Sequence, residues 1–324
     1  MRLRARPALP CNIPLGAGHQ ETKDAMNAHT NAVSSAETRA RTSARLQQHR
    51  DAAGLAAMRM EMHQGVAVHR MGTGPALVLL HGGRGSWCHW IHNIVPLSRH
   101  FSLHVLDLPG FGVSAPVPRE WPYADYLSLL SKALAEITDG RPFLLAGFSF
   151  GAQTAAMLTA HHLGEQVRRL SLLAPAGWGN DGDIGRESRK SLRDVTTVEG
   201  RREVFRHNLG TNQIADPVRI TEHTVDLLEY NIAHSVFHSP QAGSLPVLLD
   251  ALPKIHCPLQ VMAGERDILQ KPSLEWRMAR IREAAPQVIV EPLAGAGHWA
   301  QYEVPEAYNQ HLIAFMQSQS SGRQ

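Results

Sequence analysis

The fold of this 324-residue chain is indicated by residues 143–158, which read FLLAGFSFGAQTAAML. Four apolar residues lead into Gly147-Phe148-Ser149-Phe150-Gly151, and a segment with helical character follows. A strand, a tight turn and a helix form the context in which a G-x-S-x-G pentapeptide presents its serine at the carboxyl end of the strand. The two glycines suit a turn that leaves no room for side chains. The pattern predicts Ser149 as a nucleophile.

A serine nucleophile needs a base, and the base needs a carboxylate that orients it. On sheets of this kind both lie in loops at the carboxyl ends of strands, and they follow the serine in the order Asp or Glu, then His. Asp267 follows the apolar run LQVMA within GERD, and His298 follows the run VIVEPL within GAGH. We therefore predict a triad of Ser149, Asp267 and His298, with Glu265 as the nearest alternative to Asp267.

Attack on a carbonyl carbon develops negative charge on its oxygen, and donors aimed at this oxyanion usually make the largest contribution to catalysis. His81-Gly82-Gly83 follows the apolar run PALVLL and is predicted to form a loop whose backbone can approach a substrate closely. The residue after the nucleophile supplies the usual second donor. The backbone N–H groups of Gly83 and Phe150 are therefore predicted to form an oxyanion hole.

Short apolar runs that end in turn residues alternate with helix-like segments along most of the chain. Near-continuous apolar strands are typical of a parallel sheet covered by helices on both faces. The alternation predicts an α/β fold, with a doubly wound, mostly parallel sheet and a helical cap inserted between two strands. The predicted strands lie in PALVLLHGG, SLHVLDLPG, PFLLAGFS, VRRLSLLAP, CPLQVMAGE and QVIVEPLAG, and the predicted helices in YADYLSLLSKALAEI, GAQTAAMLTAHHL, SLEWRMARIREAA and VPEAYNQHLIAFMQ.

The chain divides into four segments that differ in amino-acid composition. Residues 1–57 have almost no aromatic or large aliphatic side chains and are predicted to be a disordered or loosely helical extension, with a surface helix over residues 36–60 that Gly54 interrupts. Residues 58–176 and 245–324 are predicted to be the two parts of the α/β core. Residues 177–244 lack a convincing strand and contain charged, helix-prone pieces, so they are predicted to be the helical cap.

The charge of the chain is concentrated at its start. Residues 1–59 contain nine basic and four acidic side chains, whereas the whole chain has 32 basic and 29 acidic ones. The body is therefore close to neutral and lacks the clustered Lys and Arg that nucleic-acid binding normally requires. No nucleic-acid partner is expected.

Other compositional signals concern location and metals. Cys11, Cys88 and Cys257 include no Cys-x-x-Cys pair, which indicates neither a disulfide framework nor a cysteine zinc site. No apolar run is long enough for a signal-peptide core or a membrane span. We therefore predict a soluble, cytoplasmic protein without a membrane partner.

His89 and His92 have metal-ligand spacing but no third ligand, so no metal and no other cofactor is expected.

Five motifs, HGGRGSW, DLPGFGVS, GFSFG, GERD and GAGHW, occur in this order. Together they resemble the α/β-hydrolase family from about residue 62 to the end of the chain, and residues 177–244 resemble its variable cap. The HWAQ-x-E that begins at His298 and the HGG-x-G at the oxyanion loop are similar to hydrolases that cleave meta-ring-fission dienoates at a carbon–carbon bond. In those enzymes the tryptophan after the histidine lines the pocket, which implies the same role for Trp299. Around the serine they have Asn and Met where this chain has Phe148 and Phe150.

The cap of those carbon–carbon hydrolases also supplies an arginine that binds the substrate carboxylate. The resemblance does not choose among the arginines of the predicted cap. The candidates are Arg186, Arg189, Arg193, Arg201 and Arg202.

Aromatic residues near the predicted triad favour a small-molecule substrate with an apolar acyl or aryl part. The predicted substrate-binding residues are Phe148, Trp178 and Trp299. We expect a serine hydrolase of carboxylic esters, thioesters or lactones. Two alternatives stay open: a carbon–carbon bond hydrolase of the meta-cleavage dienoate type, and a non-catalytic small-molecule binding protein on the same fold. The oligomeric state is not indicated.

Overall fold

The computed structural model describes residues 28–179 and 189–318. Eight strands form one sheet in the order β1-β2-β4-β3-β5-β6-β7-β8. Strand β2 is antiparallel to both of its neighbours, and all pairings from β4 to β8 are parallel. The strands are β1 (Arg59–His63), β2 (Val66–Met71), β3 (Ala76–Leu80), β4 (Ser102–Asp107), β5 (Phe143–Phe148), β6 (Val167–Leu173), β7 (Leu259–Gly264) and β8 (Ile289–Leu293).

The parallel part of the sheet confirms the predicted fold class. Strands β3 to β8 are the six apolar runs of the sequence, and every residue of β5 and β7 is buried. Strands this apolar require cover on both faces, which helices on either side provide. The chain therefore forms the predicted α/β fold with a doubly wound, mostly parallel sheet.

The antiparallel hairpin β1–β2 was absent from the sequence prediction. Its turn consists of Gln64 and Gly65, which both adopt positive φ angles of 50° and 77°. Two consecutive left-handed residues are typical of a two-residue hairpin turn. Strand β1 is an exposed edge strand, with Met60 and Met62 about half exposed. Because only Met60 and Met62 of its five residues are apolar, the strand lacks the apolar run by which the other strands were predicted.

Helices cover the sheet and make up most of the segment between β6 and β7 where the structure describes it. In the described residues no helix combines the length and the apolar character that crossing a bilayer would require. A π-helical turn, Thr159–Leu163, extends the fourth helix. The helices are α1 (Ala28–Ala52), α2 (Ile94–Ser98), α3 (Tyr123–Ile137), α4 (Phe150–Leu158), α5 (Val198–Asn212), α6 (Glu222–Ala233), α7 (Ser239–Gly243), α8 (Leu248–Ala251), α9 (Leu274–Ala284), α10 (Ala300–Glu303) and α11 (Pro305–Gln317).

Helix α4 approaches the end of β3 so closely that no side chain fits at Gly151. A Cβ atom there would lie 2.4 Å from the carbonyl oxygens of Leu80 and His81. At Gly147 a Cβ atom would lie 2.4 Å from the carbonyl oxygen of Gly151. All of these oxygens belong to the backbone and cannot rotate away. The two glycines therefore allow β5, the turn at Ser149 and α4 to pack against β3.

The segment between β6 and β7 is helical where the structure describes it. Residues 189–244 contain α5, α6 and α7, and the described part of 177–244 has no strand apart from a single bridge between Ser235 and Phe111. The segment interrupts the core between two neighbouring strands of the sheet. It lies where the sequence predicted a cap.

Helix α1 packs against α6 through ion pairs. Arg41 contacts Glu229 at 2.6 Å, and Arg45 contacts Asp226 at 3.1 Å. Glu229 is 2% exposed and also lies 3.2 Å from Arg202 of α5. Part of the predicted extension, residues 28–52, is thus one helix that packs against the predicted cap segment. The acidic partners lie more than 180 positions further along the chain, which is why composition alone indicated only a loose extension.

Replacement of Gly151 by Ala is expected to lower the free energy of unfolding by about 3 kcal/mol, because the new Cβ would clash with two backbone oxygens. Urea unfolding measures this change. Gly243→Ala is the matched control, since its Cβ would lie 3.9 Å from its nearest neighbour, an ordinary contact. Equal stability of the two variants would contradict the packing described at the serine turn.

Glu229→Gln is expected to lower the free energy of unfolding by about 3 kcal/mol, because it removes the buried carboxylate charge that Arg41, Arg45 and Arg202 share. Glu199→Gln removes the 67% exposed partner of Arg206 and should cost less than about 1 kcal/mol. Thermal and urea unfolding of both variants test the difference. A loss in Glu229→Gln no larger than that in Glu199→Gln would show that the α1–α6 contact adds little stability.

Candidate active site

Ser149 lies at the sharp turn between β5 and α4. Its backbone angles are φ 52° and ψ −113°, a conformation that residues with a side chain rarely adopt. The Ser149 N–H donates to Leu173 O at 2.9 Å, and its carbonyl accepts from the amides of Ala152 and Gln153. These bonds to β6 and α4 maintain a strained turn that raises the hydroxyl above the sheet edge.

Ser149, His298 and Asp267 form a continuous hydrogen-bonded chain. The distance from Ser149 Oγ to His298 Nε2 is 3.0 Å, and that from His298 Nδ1 to Asp267 Oδ2 is 2.8 Å. An ionised carboxylate only accepts, so His298 Nδ1 carries the ring proton and Nε2 accepts from the serine hydroxyl. The structure thus brings together the three side chains that the sequence predicted.

Asp267 is buried but remains ionised. Burial alone would raise its pKa, but the charge of His298 and hydrogen bonds from His298, Gln270 and the Leu269 amide outweigh this effect, so the pKa is lowered overall. Gln270 Nε2 donates to Oδ2 at 2.8 Å, and Leu269 N donates to Oδ1 at 2.9 Å. Both carboxylate oxygens are therefore engaged, which fixes the plane of the group that orients His298. Glu265, the alternative of the sequence analysis, is exposed and lies outside this chain of bonds.

The backbones before Asp267 and His298 are in direct contact. Arg266 N donates to Ala296 O at 2.9 Å. A Cβ atom on Gly264 would lie 2.2 Å from the carbonyl oxygens of Ala296 and Gly297, so only glycine allows this approach. The end of β7 and the turn after β8 are therefore locked together, which sets the distance between the carboxylate and the imidazole.

Glu303 positions the turn before His298, a role that the sequence analysis did not assign. Its Oε2 accepts from Gly297 N at 2.6 Å, and its Oε1 accepts from Ala215 N at 2.8 Å and Asp216 N at 3.0 Å. Burial raises the pKa of Glu303, and the three amide donors partly oppose this. The HWAQ-x-E motif contained the signal, because a glutamate five residues after the histidine can reach back to the preceding turn.

His81 orients the peptide between Gly82 and Gly83. Leu108 N donates to His81 Nε2 at 2.9 Å, so the ring proton is on Nδ1, which lies 2.7 Å from Gly82 O. In a trans peptide the carbonyl and the following N–H point in opposite directions. A carbonyl bound to His81 therefore turns the Gly83 N–H away from His81.

His89 forms a second hydrogen bond with the same loop. Gly82 N donates to His89 Nδ1 at 3.2 Å. Burial and the neighbouring His81 and His298 lower the pKa of His89 well below 6.5, so the ring is neutral. A neutral ring that accepts at Nδ1 carries its proton on Nε2. This contact was not predicted from the sequence, where His89 was considered only as a metal ligand.

Both predicted oxyanion donors lie at the serine. The Phe150 N–H is at the first position of α4, where a helix has no partner of its own for the amide. Gly83 N–H donates to no acceptor in residues 28–179 and 189–318. Gly83 and Phe150 also line one cavity together with Ser149 and His298. Free amides beside a serine–histidine pair can stabilise negative charge on a reacting oxygen.

Two cavities meet at Ser149, with volumes of about 310 and 410 Å³. The smaller one is lined mainly by small and polar residues, and Trp178 lies on its wall. The larger one is lined by both apolar and polar side chains, and its apolar members include Phe148 and Trp299. All three predicted substrate-binding residues therefore line a cavity at the serine, although they divide between two. The residues common to both cavities are Gly83, Arg84, Ser149, Arg189, Gln213 and His298.

The candidate arginines of the predicted cap lie in different environments. Arg189 lines both cavities, whereas Arg202 lies in the ion-pair cluster with Asp226 and Glu229. Arg193 and Arg201 line neither cavity, and Arg186 lies outside the described residues. Among the candidates that the structure describes, Arg189 is therefore the one placed to meet a ligand.

The histidines of the predicted metal spacing have other contacts. His89 Nδ1 accepts from Gly82 N, and the Nδ1 atom of His92 lies 3.3 Å from Tyr302 O. Within the described ranges, no three His, Cys, Asp or Glu side chains are grouped as metal ligands.

Acid is expected to weaken the fold through the buried histidines of this loop. Burial lowers the pKa of His81 from 6.5 to about 4. The folded state then binds fewer protons than the unfolded state, so this contribution to stability is constant above about pH 6.5 and is lost as the pH falls from 6.5 to about 4. The full loss from His81 is about 3 kcal/mol. Urea unfolding at a series of pH values measures it.

His81→Asn should reduce the pH dependence, because the amide can donate to Gly82 O without gaining charge in acid. His256→Asn changes an exposed histidine and should retain the wild-type dependence. A dependence in His81→Asn as steep as that of the wild type would show that His81 is not the titrating group.

The chain is similar to known proteins over most of its length. A family model for the alpha/beta hydrolase family matches residues 77–311, well over half of the chain. A pimeloyl-(acyl-carrier protein) methyl ester esterase of Vibrio vulnificus is 26% identical over 265 residues, which cover 75% of this chain and 95% of that enzyme. The esterase of the same name from Aeromonas hydrophila is 41% identical over 98 residues, and this match spans 30% of this chain and 37% of that enzyme.

A solved structure shows the same fold. The carboxylesterase CesB of Bacillus subtilis has a TM-score of 0.69 to this chain at 18% identity, over 88% of this chain and 100% of that one. At such low identity the likeness concerns the fold alone. With the family match and the eight-stranded sheet, it confirms the resemblance found in the sequence motifs. This chain is a hydrolase that belongs to the α/β-hydrolase family.

Proposed function

We propose that the protein is a serine esterase that hydrolyses carboxylic esters, thioesters or lactones with a small to medium apolar acyl part. The observation that supports this most strongly is the hydrogen-bonded chain from Ser149 through His298 to Asp267, at 3.0 and 2.8 Å. Free amides of Gly83 and Phe150 beside the serine complete the requirements of acyl transfer. Esterases of other organisms among the relatives agree with this assignment.

In the proposed reaction Ser149 Oγ attacks the ester carbonyl carbon while its proton moves to His298 Nε2. Asp267 stabilises the resulting imidazolium, and the Gly83 and Phe150 amides donate to the oxyanion. His298 then returns the proton to the leaving alcohol as the carbon–oxygen bond breaks. Water attacks the acyl-enzyme by the same steps and releases the carboxylic acid.

The linings of the two cavities suggest how an ester would lie. The larger cavity has more large apolar side chains in its wall than the smaller one, among them Phe148, Phe205, Leu228, Ile232 and Trp299. Burial of an apolar acyl chain there is favourable because it removes hydrocarbon from water. The smaller cavity has more polar groups and suits the alcohol part, whose chemistry varies between substrates. Trp299 is fixed by a 3.0 Å bond from Nε1 to His89 O, so that its ring is a rigid part of the acyl wall.

A second candidate function is the carbon–carbon hydrolysis of a meta-cleavage dienoate. It is favoured by Arg189, which lines both cavities and could bind a substrate carboxylate, and by Trp299, which lines the larger one. The same serine, histidine and carboxylate would carry out both reactions. A substrate series that contains p-nitrophenyl butyrate and a vinylogous diketo acid separates the two.

We expect the wild-type protein to hydrolyse p-nitrophenyl butyrate and to react covalently with a fluorophosphonate at Ser149. Ser149→Ala should abolish labelling and lower kcat at least about 1,000-fold, because the nucleophile is lost. Steady-state kinetics and intact-protein mass spectrometry measure both effects. Turnover of the dienoate without ester turnover would establish carbon–carbon hydrolysis as the function. A wild-type protein that shows neither labelling nor turnover would favour the non-catalytic small-molecule binding protein.

Two variants within the GERD motif test which carboxylate orients His298. Asp267→Asn should lower kcat about 1,000-fold or more, since the imidazole loses its orienting acceptor and the stabilising charge. Glu265→Gln changes the exposed neighbour and should retain activity within about twofold. The opposite result would assign the orienting role to Glu265.

A further inference from the structure

Ser239, at the start of α7, has a buried hydroxyl without a hydrogen-bond partner. The residue is 3% exposed, and its Oγ atom has no hydrogen-bond partner in the described parts of the chain. An unsatisfied buried hydroxyl costs stability, so such groups are rare unless something else satisfies them. The neighbouring Ser244 behaves normally, with its Oγ donating to Pro240 O at 2.7 Å.

The unsatisfied hydroxyl lies beside the two candidate oxyanion donors. Ser239 Oγ is 2.7 Å from the point that a Cβ atom on Gly83 would occupy, and Phe150 Cβ is 3.6 Å from the same point. Ser239 also lines the cavity that contains Ser149 and His298. Ser239 therefore lies against Gly83 and close to Phe150, in the wall of the cavity where a substrate carbonyl would react.

The backbone around Ser239 is fixed to the core on both sides. Before it, Val236 N donates to Gly110 O and His238 N donates to Arg119 O, each at 2.9 Å. After it, Ala242 O accepts from Gln153 Nε2 at 2.9 Å. Gln153 belongs to α4, the helix that begins directly after the nucleophile. The backbone of Ser239 is thus held in place relative to α4 in advance, as a residue that donates to a developing charge requires.

Phe237 adds an aromatic contact that keeps this segment over α4. Its ring stacks on Tyr126, with centroids 4.5 Å apart, and lies 6.1 Å from the ring of Phe150. The residue that supplies one oxyanion amide therefore packs against the residue two positions before Ser239. The amide and the hydroxyl are parts of one packed unit.

We propose that Ser239 is a catalytic residue that supplies a third hydrogen bond to the oxyanion, in addition to the amides of Gly83 and Phe150. The inference rests on the proposed esterase function and deepens it. The Ser239 proton stays on its oxygen throughout; the hydroxyl only turns toward the substrate oxygen as negative charge develops there. Its acceptor is present only during the reaction, which explains why the chain itself provides none.

The proposal predicts that Ser239→Ala lowers kcat for p-nitrophenyl butyrate about 100-fold with KM within about threefold, the effect of losing one oxyanion donor. Ser244→Ala, whose hydroxyl is already engaged at the end of the same helix, should stay within about twofold of the wild type. The affinity for an alkyl boronic acid, which forms a tetrahedral adduct at Ser149, should fall in parallel with kcat in Ser239→Ala.

Thermal unfolding separates this role from a structural one. The melting temperature of Ser239→Ala should equal or exceed that of the wild type, because the variant loses an unsatisfied buried hydroxyl. Wild-type kcat and boronic acid affinity in Ser239→Ala, a rise in KM alone, or an activity loss that follows a lower melting temperature would each overturn the inference and leave the esterase function intact. A wild type without ester turnover would overturn both.

Discussion

The close approach of two backbones at Gly151 is the constraint on which the rest of the site depends. The carbonyl oxygens at the end of β3 occupy the space that a side chain on α4 would need. This contact brings the start of α4 against the loop that contains Gly82 and Gly83, and it forces the residue between β5 and α4 into a left-handed conformation. The same backbone packing therefore places both the nucleophile and the amide donors.

Near the turn at Ser149, His81, His89 and Asp267 each have a defined protonation state. His81 and His89 are neutral and have opposite tautomers, because each accepts a different backbone amide. Asp267 is ionised, and both of its oxygens are bound. A site of this kind needs little reorganisation when charge develops, since its dipoles already point in the required direction. The hydroxyl of Ser239 is one of several buried polar atoms without a partner in the described residues, and its place against Gly83 is the reason for the proposed role in the reaction.

The sequence predicted the features that depend on local pattern. The six parallel strands follow from apolar runs bounded by turns, and the positions of Ser149, Asp267 and His298 follow from the rule that loops at the carboxyl ends of strands converge. Features that depend on distant partners were missed. The α1–α6 ion pairs join residues more than 180 positions apart, and the setting of Ser239 arises from packing against Gly83 and Phe150. Strand β1 was missed because an exposed edge strand has no apolar signature.

The two oxygens of Glu303 face different parts of the molecule. One binds the turn before His298, and the other binds the backbone at Ala215 and Asp216, next to helix α5. One side chain therefore links the turn before His298 to the backbone that follows α5. A displacement of that backbone would be transmitted to the turn, so the position of the imidazole is coupled to a segment that lies outside the triad.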